Sequence, residues 1–569
     1  NREDEEVKYQ LKKIKELNDR AKYSQRILIS DKYQQLDYIF HEKTAYKKYF
    51  GNGKAAFDIF RKLALLYSRG YSISDILQVM GIRNIYIYGV GDIGQMVLAS
   101  LTKDIDISGV YDSNYNREIC IDSIKYAGKN SYSVRNPADI PEDDVPILIT
   151  PGEAFYDISY DMIARGIKRK RILSLFSVLE IGIKYLIHTE EQMTALSQHQ
   201  FLITGAQFEN KGAQSMLFVA VDEIRKRYPN AIIWYYPLDD GRNYNSEIVK
   251  KYNLLILRDE GIIKYQIMNI VMALDAIVDV SGYALSSYWE HEWYMLTLRI
   301  AKLYHIPLYI MPQSFGPFEF VESKDRELRS LLASARIIYA REQEGYNMLV
   351  DHFRLKNVYL ARDIVLQNKT LDICNLYSAG YEIKVQNLDT KSNVAIIPNV
   401  RNYEFGLKIQ ILEMYKAIIE KLLFLNKNIY IVNHSNDMEV CEDIYEMFKD
   451  KKNVYIVSKE MDCFEFRLFV KNFEFVIASR FHAIVHAYKE MIPCLSIGWA
   501  EKYKKLLESF GMEKYCFDIQ EGIALDQILD AVVYLNDHYE IEKKNIELML
   551  SLSQSENCFD ILSELKDGC

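Results

Sequence analysis

Proline and glycine are in short supply, with 11 and 25 copies in 569 residues. That scarcity argues against collagen-like repeats and long polyproline or Gly-rich linkers. The eight cysteines (Cys120, Cys374, Cys441, Cys463, Cys494, Cys516, Cys558, Cys569) form no CxxC and no Cys/His pair at metal-ligand spacing. A zinc ribbon or disulfide framework is not expected, and the thiols read as free groups in a reducing compartment. Basic residues show no excess either: 70 Lys plus Arg stand against 79 Asp plus Glu, for a formal net charge of −9. The electrostatic footprint of a nucleic-acid binder is missing. No run approaches the ~18 apolar residues that span a bilayer. The opening, Asn1-Arg2 and then Asp4-Glu5-Glu6, is unlike a signal peptide. With no initiating Met, the expectation is a trimmed or excised chain that is soluble and cytoplasmic.

What is present is ordinary globular material, 49% hydrophobic and 26% charged, with 43 tyrosines. The length predicts three or four compact units. Residues 1–80 read as a helical segment for docking or oligomerisation. In it Leu11, Ile14 and Leu17, then Phe57, Phe60, Leu63 and Tyr67, recur at helix spacing, interrupted by Gly51-Asn52-Gly53. From Asn84 the pattern turns to short β runs separated by helical stretches: 84–88, 107–111, 146–150 and 171–175. This predicts a small Rossmann-type unit over 81–188. A connector containing Thr189, Glu190, Glu191 and Gln192 follows. Two larger α/β regions are expected at 196–385 and 386–569, joined by a polar stretch with Asn387, Asp389, Lys391 and Ser392. Their strand candidates are 201–204, 231–236, 254–257, 276–280, 307–311, 337–340 and 358–360, then 395–397, 429–432, 454–457, 475–478 and 494–497. Strands alternating with helices predict two parallel doubly wound sheets facing a cleft.

Several strand ends carry residues suited to chemistry. Gly89, Gly91 and Gly94 follow a strand and open a helix, with Asp112 at the end of the next strand. Such a loop either holds a nucleotide, NAD-like or a nucleotide sugar, or is a structural Rossmann turn. Asn210-Lys211-Gly212 lies in a loop ahead of a helix expected from Gln214. Asp279-Val280-Ser281-Gly282 and Pro312-Gln313-Ser314-Phe315-Gly316-Pro317 are further junctions, each readable as a ligand loop or a tight βα turn. Arg341-Glu342 and Arg362-Asp363 close two more strands. Ser479-Arg480-Phe481-His482 carries the sharpest signal. Arg480 offers bidentate bonds to a carboxylate or phosphate, and His482 can exchange protons near neutral pH. His486, one helical turn on, reads as core packing.

Taken in order, these pieces resemble the polysaccharide pyruvyl transferase family over residues 201 to about 518. They are the Asn210-Lys211-Gly212 loop, Asp279 to Gly282, Gln313 to Pro317, Ala340-Arg341-Glu342, Asp363, Arg480-Phe481-His482, and Gly498 to Lys502 ahead of Leu506-Leu507 and Gly511. The chain departs from the family pattern at Ser281-Gly282-Tyr283 and at Gln214, positions that bear on the acceptor. The resemblance implies a GT-B-like pair of Rossmann-like halves and transfer of the enolpyruvyl group of phosphoenolpyruvate onto a sugar. The product would be a pyruvate ketal, formed with no metal or other cofactor. It implies His482 as acid, alternating as base, and Arg480 paired with the donor's carboxylate or phosphate. Arg341 and Lys502 would be further fixed cations, and Asn210, Lys211, Gly212, Ser281 and Gln313 would bind substrate. His434 is a second candidate for the acceptor or base. A glycan acceptor on a lipid carrier would bring the chain to the inner face of the membrane, and a homo-oligomer fits the helical segment. Two other readings stay open: a GT-B glycosyltransferase using a nucleotide sugar, and a non-catalytic assembly protein sensing a nucleotide.

Overall fold

Three sheets, each ordered so that its chain path reverses near the middle, organise the protein. The structure, a computed structural model, describes residues 54–122, 129–187, 196–237, 246–257, 263–288, 292–378, 381–383, 387–388 and 390–566. Leu11, Ile14, Leu17, the Gly51-Asn52-Gly53 break, the connector residues Thr189 to Gln192, Asp389 and Cys569 lie outside the described residues.

Helices Lys54–Ser68 and Ile73–Val79 precede the first sheet and pack into its core through Ile59, Leu63, Leu66, Ile76 and Leu77. Lys62, almost fully buried, pairs with Glu180 at 2.6 Å and pins the first of them down. The sheet runs Arg117–Asp122, Lys129–Arg135, Asp106–Tyr111, Asn84–Tyr88, Ile147–Ile149, Ile172–Ser174. All its pairings are parallel except the hairpin of the first two strands. That hairpin was not expected, because its strands are largely exposed and carry no apolar alternation.

The middle sheet has seven parallel strands in the order Val358–Leu360, Ile337–Ala340, Leu308–Gln313, Ala276–Asp279, Gln200–Thr204, Ile232–Tyr236, Leu255–Ile256. The path starts at Gln200–Thr204, moves one way, then returns to Ala276–Asp279 and moves the other. Alternate residues feed two cores. Leu202, Trp234, Ile277 and Ile310 join the core shared with the small sheet, while Phe201, Ile203, Tyr235 and Val278 join the core shared with the third sheet. Burial on both faces explains why these strands read as unbroken apolar runs. Each fully buried Ile or Val stabilises the fold by roughly 1.5–3 kcal/mol relative to exposure. The small unit is bolted to this sheet by Arg169, whose Nη1 donates to the carbonyls of Val271 and Met272 at 2.8 and 2.7 Å.

The third sheet repeats the order with six parallel strands: Val454–Val457, Asn428–Val432, Asn393–Ile397, Phe475–Ala478, Cys494–Gly498, Cys516–Asp518. The protein thus contains a GT-B-like pair of doubly wound halves preceded by a smaller Rossmann-like unit. A 29-residue helix, Leu525–Ser553, backs the third sheet. The chain then returns to the first half, where Tyr228 Oη donates to the Leu562 carbonyl at 2.6 Å. The halves also meet at Asp462, which accepts from Tyr252 and Tyr377 and pairs with Lys251 at 2.9 Å. No described helix is long and apolar enough to cross a membrane.

Candidate active site

Open α/β sheets bind ligands beyond the carboxyl ends of their strands, where the path reverses. In the middle sheet that point lies between Thr204 and Asp279. In the third it lies between Ile397 and Ala478. The expected site residues gather at these two places, and the halves bring them together.

On the first-half side, Asp279 is 1% exposed at its strand end. It accepts from Thr204 Oγ1 at 3.1 Å, Ser281 Oγ at 2.7 Å and Gln313 Nε2 at 3.1 Å. Burial pushes its carboxyl up to about 6, and the three hydrogen bonds oppose that rise. Ser281 and Gln313 therefore organise the turn through Asp279. Gln313 also ends the strand rather than lying in the loop beyond it. Arg341 donates through Nη1 to Asp363 Oδ2 at 2.9 Å, and through Nη2 to the Gly282 carbonyl and Ser314 Oγ, both at 2.8 Å. Asp363 caps the helix Ile364–Gln367 by accepting the Val365 N–H. Burial alone would raise its carboxyl, but the His482 contact and the Arg341 charge hold it well below the usual range.

On the second-half side, Phe475–Ala478 runs into the helix Phe481–Lys489, capped by Arg480. Arg480 donates through Nε to Asp437 Oδ2 at 2.7 Å and through Nη2 to Asp437 Oδ1, which leaves Nη1 out of the pair. Asp437 is fully buried and also accepts the Val400 N–H. His482 reaches across to the first half, its Nε2 3.6 Å from Asp363 Oδ2. Burial lowers its pKa, and Asp363 offsets part of that. Lys502 sits among Tyr283, Phe481, Trp499 and Tyr503, with Nζ 5.3–6.0 Å from their ring centres. It forms no ion pair with any described acid, and burial together with the Arg341 charge pushes it down to about 8. Trp499 stacks on Phe405 at 4.5 Å with planes 7° apart.

The Asn210-Lys211-Gly212 segment closes the gap between the halves. It is not a loop: the helix begins at Lys211, with Asn210 as its cap accepting the Gly212 N–H at 3.0 Å. Gly212 lies under the His482 ring, and a Cβ there would sit 2.2 Å from His482 Nδ1. A family model for polysaccharide pyruvyl transferase matches residues 210–501, from this cap to the segment beside Lys502. The chain belongs to the polysaccharide pyruvyl transferase family.

No curated protein matches the chain. Among solved structures, it is similar to UDP-GlcNAc 2-epimerase from Neisseria meningitidis bound to UDP-GlcNAc, at 12% identity and TM-score 0.41 over 65% of this chain and all of that one. UDP-GlcNAc 2-epimerase from Methanocaldococcus jannaschii gives 10% and 0.40 over 59% and 92%. A glycosyltransferase from Rickettsia africae ESF-5 gives 10% and 0.38 over 65% and 99%.

Two residues expected to bind substrate in this pyruvyl transferase family member are used to join its halves. Lys211 is buried and its Nζ donates to the His434 carbonyl. His434 itself is 1% exposed, with its ring against Phe466 at 4.7 Å and His486 at 5.8 Å. Burial lowers its pKa far below the usual histidine value. His486 is likewise buried, in keeping with a core role. Gln214, where the family often has an acid, accepts the Cys463 N–H at 2.7 Å and ties helix to helix across the halves. Sequence reasoning passed over Asp437. Its signal was position, since it caps the helix Met438–Glu446 after a buried strand, opposite Arg480. Among the described residues, no three His, Cys, Asp or Glu side chains are grouped to hold a metal ion.

The glycine loop of the small unit is built differently. Gly89 has φ +94°, a left-handed turn that glycine alone adopts without strain. A Cβ on Gly94 would sit 2.0 Å from the Gly89 carbonyl oxygen, whereas one on Gly91 meets open space. Asp112 accepts the Val90 N–H at 2.7 Å and so closes the turn.

Proposed function

We propose that this chain transfers the enolpyruvyl unit of phosphoenolpyruvate onto two hydroxyls of a sugar, in a cell-surface polysaccharide or its lipid-linked precursor. The products are a pyruvate ketal and inorganic phosphate. The carrying observation is one cluster holding His482 against Asp363, Arg480 with an unused Nη1, and Lys502 with no acid partner. A small donor with both a carboxylate and a phosphate needs fixed cations beside a proton-transfer group. Arg341 acts at one remove, since both its terminal nitrogens are engaged in holding Asp363 and the 282 and 314 turns.

The chemistry follows from these positions. Nε2 of His482 faces Asp363, so Nδ1, beside Gly212, is the nitrogen that moves protons. The imidazole rests neutral, and the negative charges of the bound donor favour its protonation. Nδ1–H protonates the donor's methylene carbon, leaving positive charge on the adjacent carbon. The first sugar oxygen bonds to that carbon and its proton returns to Nδ1. The carbon–oxygen bond to phosphate then breaks, and Arg480 and Lys502 neutralise the departing anion. The second hydroxyl closes the ketal, and its proton leaves with hydrogen phosphate. One proton is gained at carbon, two are lost from the hydroxyls, and one departs with phosphate, so the step balances.

The test is incubation with phosphoenolpyruvate and candidate glycans, read by mass spectrometry for a ketal and by phosphate release. Turnover of a nucleotide sugar with nucleotide release, and none with phosphoenolpyruvate, overturns the reading in favour of glycosyl transfer.

A further inference from the structure

Leu525–Ser553 is the longest helix among the described residues. One side is built into the second half through Ile528, Val532, Leu535, Ile546 and Leu550. The other carries Tyr534, Ile541, Leu548 and Leu552, which are 45%, 58%, 64% and 48% exposed. Steps of seven, seven and four keep these four within about 20° of one line along the helix. Single exposed apolar residues are ordinary, but a heptad-spaced stripe on a long helix is the pattern of helix pairing.

The charges beside the stripe indicate what covers it. Asp537 and Lys544, four residues before and three after Ile541, are exposed and lie on the same flank. Neither forms an ion pair among the described residues; the one side-chain hydrogen bond of Asp537 comes from Asn536 Nδ2 at 3.0 Å. About 10 Å of helical rise separates them, so they do not reach each other.

We infer that this face pairs with a second copy of the chain, antiparallel about a two-fold axis at Ile541. Such an axis sets each position before Ile541 against the equivalent one after it. Tyr534 of one copy then meets Leu548 of the other, and Ile541 meets its own copy. Asp537 of each meets Lys544 of the other, which forms two ion pairs at the rim. Leu552 falls at the outer edge, opposite Asp530. A parallel pairing would set Asp537 on Asp537 and Lys544 on Lys544, so the charges select the antiparallel arrangement.

Sedimentation velocity of the full chain over a dilution series tests this. The wild type is expected at twice the chain mass at the upper concentrations. Ile541→Glu is expected to be monomeric, as are Asp537→Lys and Lys544→Asp alone, because each single swap opposes like charges twice. The double variant Asp537→Lys/Lys544→Asp restores opposite charges and is expected to restore the dimer. All three positions are exposed, so circular dichroism should match wild type throughout. A wild type that stays monomeric, a dimer indifferent to the single swaps, or a double variant that stays monomeric overturns the pairing.

Discussion

Two regions of this chain place a glycine-bearing segment at the turning point of a Rossmann-like sheet, and they use it in opposite ways. In the small unit the glycines serve the turn itself. Gly94 lets the helix lie on the Gly89 carbonyl, Thr150 Oγ1 donates to that carbonyl at 2.8 Å, and Asp112 closes the loop. The helix there also begins with Asp92, a negative charge at the end where a phosphate would sit. In the transferase region Gly212 serves a side chain instead, making room for His482 from the other half. Cations stand around that place, and one of them, Lys502, has no internal partner among the described acids. The same backbone device is structural in one case and chemical in the other, and the surrounding charges tell which.

Removing the chemistry should give the largest effect. His482→Ala is expected to lower kcat by about 10²–10⁴-fold with melting temperature near wild type. Arg480→Ala is expected to abolish transfer too, but it orphans the buried Asp437 carboxylate, which costs about 3–5 kcal/mol and should lower the melting temperature measurably. Near-wild-type turnover in the His482 variant would remove the chemical half of the contrast. Gly212→Ala comes next. Its methyl must displace the His482 ring, and a misplacement near 1 Å costs about 10²-fold in kcat, with the KM for the donor much less affected. If steady-state kinetics show the loss in KM alone, Gly212 serves donor binding and not the ring.

The pH dependence sharpens the same point. Lys502 has its pKa lowered to about 8, so its charge is complete below that pH and is lost as pH rises through it. The KM for the donor is expected to be flat below pH 8 and to climb above it, by up to about tenfold per unit. Lys502→Arg keeps its charge throughout and should flatten the climb. A rise that persists in this variant would assign the titration to another group.

How much of this was legible beforehand depended on burial. The strands Ile337–Ala340, Val358–Leu360, Val454–Val457 and Phe475–Ala478 were bounded correctly because each is a compact run rich in β-branched and aromatic residues. The hairpin Arg117–Arg135 was invisible because water replaces the core as its neighbour. Arg480 and His482 were readable as a strand-to-helix pair. The roles of Lys211 and His434 were not, since both depend on contacts more than 200 residues apart in sequence. Arg341 likewise looked like a free cation until Asp363, Gly282 and Ser314 were found around it.

The smallest expected effects lie in the small unit, and there the contrast is most open to attack. Gly94→Ala drives a methyl into the Gly89 carbonyl and should destabilise that unit by about 1–3 kcal/mol, visible as a lowered thermal transition. Gly91→Ala meets open space at φ −66°, so only the helix cap changes, by less than about 1 kcal/mol. Transfer by folded Gly91→Ala protein is expected to equal wild type within error. The small unit is nevertheless bolted to the middle sheet by Arg169, and a rigid joint can carry a displacement. A fall in kcat for Gly91→Ala without a fall in melting temperature would mean the two turning points are coupled. The small unit would then be a controlling element of the transferase and not its structural neighbour.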